Sequence, residues 1–146
     1  MVILMNEDIE LLNYIYQNAK MGIVGIDNIK AEIKNKKLLK TIKEQENDYY
    51  TICTKAIKYL SLTNTERKNI TNIAKLMTYI DTRKKLLNDN SDSSIAKMMI
   101  EGSNMGIIAI TEKLNHYEGT DKNIIKLAKE LLKIEEKNLD NLKQYL

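Results

Sequence analysis

The chain has no proline, no phenylalanine and no tryptophan, and only five of its 146 residues are glycine. Proline breaks helix interiors, and all-β chains need turn residues at short intervals. Their scarcity points to long helices joined by few turns. Without Phe or Trp the core has to be built from Ile, Leu, Met, Ala and Tyr. A single cysteine, Cys53, excludes an intrachain disulfide. It falls on an apolar helix face, where a buried inert thiol is the expected state. Charge of one sign is also lacking. Lys and Arg number 23 against 20 Asp and Glu, for a net charge of +3, and the signs are interspersed. A nucleic-acid binder concentrates its basic residues on one face. Here the densest basic spots, at 34–40 and 83–85, fall near helix ends, where cations favour the C-terminal dipole. No basic region leads into a long apolar run, and no stretch approaches the ~18 apolar residues of a membrane span. These absences give an expectation of a cytoplasmic protein, with neither nucleic acid nor membrane as partner.

What is present is helical periodicity. A first helix is expected over 6–34, with Asn6 as cap and Ile9, Leu12, Tyr16, Ala19, Ile23, Ile26 and Ile33 along one face. Only Lys30 interrupts that stripe. A second helix, over 36–60, carries Leu38, Leu39, Ile42, Gln45, Tyr49, Ile52, Cys53, Ala56, Tyr59 and Leu60. The very short link makes the pair an antiparallel hairpin. Thr63 and Glu66 have the spacing of a capping box and open a helix over 66–88. Residues 88–93, Asn-Asp-Asn-Ser-Asp-Ser, form a turn and cap cluster. A further helix spans 93–118. Gly119 fits its stop and Thr120 or Asp121 the next cap. The last helix runs to the C-terminus with Ile124, Ala128, Leu131, Glu135, Leu139, Leu142 and Leu146 inward. The expected organisation is one domain over 1–146: a hairpin at 6–60, a crossover helix at 66–88 and a hairpin at 93–146. Residues 1–5 are read as an extension outside the fold.

The chain matches itself. Gln17-Asn18-Ala19-Lys20-Met21-Gly22-Ile23-Val24-Gly25-Ile26 parallels Glu101-Gly102-Ser103-Asn104-Met105-Gly106-Ile107-Ile108-Ala109-Ile110, and both hairpins end in Tyr-Leu. Glycine inside a helix costs about 1 kcal/mol relative to alanine. Gly22, Gly25, Gly102 and Gly106 therefore call for a reason. Close packing of the first helix on the 93–118 helix is the expected one; a ligand beside bare backbone is the alternative. The 93–118 helix is also apolar nearly all round, with Met98, Met105 and Ile108 opposite its Ser103-to-Ile110 stripe. A helix of that kind is covered on every side, either by the helix over 66–88 or by a second subunit; a homodimer is the expectation.

Two hairpins of similar design, a long connection between them and this length resemble the ferritin-like superfamily. The run from Leu12-Asn13 to Gly22-Ile23 resembles the first helix of its bacterioferritin-type members. The resemblance implies an all-α antiparallel four-helix bundle with an extra helix in the crossover. Members hold two metals between one Glu from each of two helices and a Glu-x-x-His pair from each of the others. Laid on this chain, the lone-Glu positions fall at Ala19 and Ser103. The pairs fall at Glu46 with Tyr49 and at Leu132 with Glu135. Both histidines and both lone glutamates are missing, and the one histidine, His116, sits near a helix end. The resemblance therefore implies a degenerate metal site with no cofactor. Iron or manganese on Glu46, Tyr49 and Glu135 is the alternative. Gln45, Tyr49, Ser103 and Glu135 are expected to form a polar cluster in the core, with Tyr49 donating to Glu135. No phosphate loop, Cys-x-x-Cys or Ser-His-Asp pattern is visible. The functional expectation is a non-catalytic, self-associating or protein-binding bundle.

Overall fold

The computed structural model describes residues 4–63, 78, 81 and 90–146. Among these are four α-helices and no strand: α1 Asn6–Ile29, α2 Lys36–Leu62, α3 Asp92–Asn115 and α4 Lys122–Leu142. Short 3-10 turns follow α1 at Lys30–Glu32 and α4 at Lys143–Tyr145. The chain is thus all-α. The helix expected over 66–88 and the Thr63–Glu66 capping box lie outside the described residues, apart from Thr63 itself, which ends α2, and helical, exposed Thr78 and Asp81.

Side-chain caps set where the helices begin. Asn35 Oδ1 accepts from the amides of Lys37 and Leu38, and Asp121 Oδ1 accepts from Asn123 and Ile124 in the same way. Ser91 Oγ caps α3 through Ser94. For α1 the cap position is Met5 rather than Asn6. Its amide donates to Asp8 Oδ2 at 3.1 Å, and Leu4 packs against the core. The fold thus begins inside the stretch expected to lie outside it. Two ends fall short of the expected ones. Past Ile29 the backbone tightens into the 3-10 turn and Ile33 turns extended, freeing Asn35 to cap α2. Past Asn115 the Tyr117 hydroxyl is drawn to Asp8, across the top of α1. Gly119 must stay small there, because a Cβ would collide with the Asp8 carboxylate and the Tyr117 ring.

α1 packs most extensively on α2, and α3 on α4; α2 and α4 join the hairpins, while α1 and α3 meet more lightly. Ile and Leu side chains from all four helices fill one core, from Leu12 and Ile15 through Ile42 and Ile52 to Ile110 and Leu131. Polar contacts fix which ends lie together. Asn35 Nδ2 donates to Asp92 Oδ2 at 2.7 Å, so α2 and α3 start at the same end. Tyr59 bonds Asp121, and Tyr117 bonds Asp8, at the other end. The chain between Thr63 and Asn90 therefore has to connect opposite ends of the assembly.

The hairpins correspond position by position. Tyr49 and Glu135 are 86 residues apart, and the same offset relates Asn35 to Asp121 as caps. It also relates buried Leu38, Ile42, Gln45, Ile52 and Ala56 to buried Ile124, Ala128, Leu131, Asn138 and Leu142. On α4 the inward stripe thus runs through Asn138. Leu139 is only partly buried, and Leu146 is exposed.

The glycines act differently from expectation. They do not bring α1 and α3 together. A Cβ on Gly22 would lie 2.7–2.9 Å from ring carbons of Tyr49 on α2, and one on Gly106 would lie 2.8 Å from Glu135 Oε1 on α4. A Cβ on Gly25 or Gly102 would meet nothing within 4 Å among the described residues. Two glycines thus make room for large side chains within their own hairpins, and the other two do not. Opposite signs of substitution follow. Gly25→Ala and Gly102→Ala should each stabilise by up to ~1 kcal/mol through helix propensity. Gly22→Ala should destabilise by about 1 kcal/mol or more, since overpacking against a held ring outweighs that gain. Urea midpoints of the three variants give the comparison, and equal effects at 22 and 25 would contradict the packing described.

Candidate functional site

The polar residues expected in the core are all buried there: Gln45 and Tyr49 from α2, Ser103 from α3 and Glu135 from α4. Helix periodicity brings them together. Gln45 and Tyr49 are one turn apart on the inward face, and Ser103 and Glu135 lie on the inward faces of the second hairpin. Tyr49 Oη donates to Glu135 Oε2 at 2.7 Å, and the buried Ser103 hydroxyl lies beside the pair. Burial raises the Glu135 carboxyl to about 7, against the lowering effect of the Tyr49 bond and of the Ser103 side chain. Burial, the Glu135 charge and the bond to Glu135 push the Tyr49 phenol well above its ordinary range.

One member of the centre escapes a reading of the sequence. Asn138 is fully buried one turn beyond Glu135, and its backbone carbonyl accepts from Gln45 Nε2 at 3.4 Å. Its position completes the spacing from Leu131 through Glu135 to Leu142, which is the signal that could have found it; neighbouring Leu139 fits an apolar stripe better by residue type. Gln45 Oε1 and both polar atoms of the Asn138 side chain have no hydrogen-bond partner among the described residues.

The remaining candidates lie elsewhere. Glu46 turns to Lys30, which it holds at 3.1 Å together with Asp27 at 2.9 Å. Those two carboxylates raise the Lys30 ammonium, so the residue that interrupts the α1 stripe is tied down by an ion pair. Tyr49 and Glu135 therefore stand together without Glu46. His116 is exposed at the end of α3, its Nδ1 2.8 Å from the Glu112 carbonyl. Cys53 is buried, and burial raises its thiol to about 11, the inert state expected of it. Among the described residues no three His, Cys, Asp or Glu side chains are grouped to share a metal ion, and no helix is long and apolar enough to cross a membrane. Glu135 and Tyr49 are 3% and 4% exposed. A general acid or base must come within hydrogen-bond reach of its substrate; here the two groups are bonded to each other inside the core.

No protein-family model matches the chain, and neither a curated protein nor a solved structure matches it. The site has to be read from its own geometry.

That geometry sets a pH dependence. The folded-state value of Glu135 lies above the ordinary one, about 7 against 4.5. Between those values the unfolded chain has released its proton while the folded chain keeps it. Stability should therefore fall as pH rises from 4.5 to about 7 and level off above, by on the order of 3 kcal/mol. Glu135→Gln keeps an acceptor for Tyr49 and removes the titration. Urea midpoints followed across this window should slope in the wild type and flatten in the variant; parallel curves would mean that the carboxyl does not titrate as described.

Proposed function

We propose that this protein is a ferritin-like bundle without catalytic chemistry, which works through its surface and self-associates as a homodimer along α1 and α3. The topology supports the family reading. A helical hairpin, a connection that runs between opposite ends and a second hairpin parallel the single long crossover of ferritin-like folds. Closure of the polar centre to solvent, with Glu46 diverted to Lys30, supports a role outside metal or acid–base chemistry.

The observation that carries the dimer is an apolar surface at mid-height. Met21 is 40% exposed on α1, and Met105 and Ile108 are 57% and 52% exposed on α3. The contacts of Asp8 with Tyr117 and of Lys113 over the Tyr14 ring set the antiparallel register of these two helices. That register places Met21 level with Met105, and Gly25 level with Gly102, where an added Cβ would meet no atom of the described residues. Large side chains of this kind are seldom left wet together. The patch is repeated across an approximate two-fold relation between two antiparallel helices. An isologous contact would set this patch of one copy against the same patch of another.

Analytical ultracentrifugation over a range of concentrations tests this reading. The wild type should sediment as a dimer. Met105→Lys combined with Ile108→Glu should shift it to monomer, with helicity by circular dichroism unchanged. A wild type that stays monomeric at high micromolar concentration, or a charged variant that remains a dimer, would sink the proposal.

A further inference from the structure

Gln45 and Asn138 are nearly or wholly shielded from solvent, and three of their four side-chain polar atoms have no partner among the described residues. A buried amide atom without a hydrogen bond is costly, and such groups in native proteins are satisfied by protein or by ordered water. Re-orienting the amides does not help. Turning Asn138 over exchanges two atoms that are both unpartnered. Turning Gln45 over would set its oxygen against the Asn138 carbonyl oxygen, which now accepts from Gln45 Nε2.

The two halves differ at this place. By the correspondence that pairs Tyr49 with Glu135, Gln45 matches Leu131 and Asn138 matches Ile52. Both counterparts are apolar and buried. Packing alone is thus satisfied by Leu and Ile at equivalent positions. Only one side of the centre carries amides, and they come from the two helices that join the hairpins, α2 and α4.

We propose that this side of the core is a built site for at least one buried water molecule. The water donates to Gln45 Oε1 and accepts from Asn138 Nδ2, linking α2 to α4 beside the Tyr49–Glu135 pair. Water suits the site because donors and acceptors are both present and no charge pairing is required. A buried water generally makes about three such bonds. Asn138 Oδ1 supplies an acceptor for a second O–H, from the same molecule or a neighbour. The site makes the junction between the hairpins wet on one side and dry on the other.

Two measurements test it. Oxygen-17 magnetic relaxation dispersion of the wild type should show a long-lived internal water. Gln45→Leu with Asn138→Ile, which copies the opposite half, should lose that signal while remaining folded. A wild type without the signal, or a double variant that keeps it in full, overturns the site. Should the double variant fail to fold, a high-resolution crystal structure of the wild type decides. Density with water-like contacts between Gln45 Oε1 and the Asn138 amide supports the proposal. A direct bond between the two side chains, or an ion coordinated there, overturns it.

Discussion

The hydrogen bond between Tyr49 and Glu135 is the constraint around which this fold is organised. A carboxyl group taken out of water has to be neutralised or bonded. Here it receives the Tyr49 hydroxyl, with the Ser103 side chain beside it, and burial still raises its proton affinity. Satisfying that one group requires α2, α3 and α4 to stand in a single register. Sliding α2 by one turn against α4 would leave both partners buried and unpaired, at roughly 1–3 kcal/mol each. The requirement extends to α1 through Gly22, which is small because the Tyr49 ring occupies the space where its Cβ would lie. Gly106 does the same for Glu135. Two costly helix glycines and one buried acid are consequences of a single contact.

The same device recurs away from the centre. Tyr59 donates to Asp121, and Tyr117 donates to Asp8, while the Asp121 amide donates to the Tyr117 hydroxyl at 3.2 Å. Burial and the neighbouring carboxylate raise the Tyr59 phenol to about 12, so it stays a donor throughout the physiological range. Asp121 thus caps α4 with one oxygen and holds α2 with the other. At the far end Asn35 does comparable work, capping α2 and donating to Asp92. In a chain without Phe or Trp, tyrosine fills the aromatic volume, and its hydroxyls supply directional ties between hairpins that apolar packing alone lacks.

Periodicity made the helices legible, because an inward face in a small all-α chain has to repeat every three to four residues. The stripes on α1 and α2, the Asp121 cap and the bond from Tyr49 to Glu135 could be read for that reason. Chemistry that depends on a distant partner was less legible. Asp8 looks like an acid suited to a helix N-terminus, yet it is buried and bonds Tyr117 from the opposite hairpin. Asn138 reads as a solvent-facing residue beside Leu139 until its correspondence with Ile52 is seen. The glycines show the limit most clearly. Spacing says that a smooth strip exists, but not which neighbour uses it. Gly22 and Gly106 serve the partner within the hairpin, while at Gly25 and Gly102, in the same strips, an added Cβ would meet no atom of the described residues.

That division of the glycines bears on where function lies. The motif repeated on α1 and α3 has an inner edge and an outer edge. Its inner edge, at Gly22 and Gly106, is spent on seating Tyr49 and Glu135 in a closed core. On its outer edge the repeat keeps only the methionines, Met21 and Met105, both exposed; Gly25 and Gly102 stand opposite Ala109 and Asn18 in the repeat and are not part of it. Glycine at an exposed helix position is unfavourable, and a large apolar side chain beside it gains nothing from water. A repeat kept in both halves on the inside has a structural reason. The exposed methionines have no such reason among the described residues, and that is the ground on which the dimer is proposed.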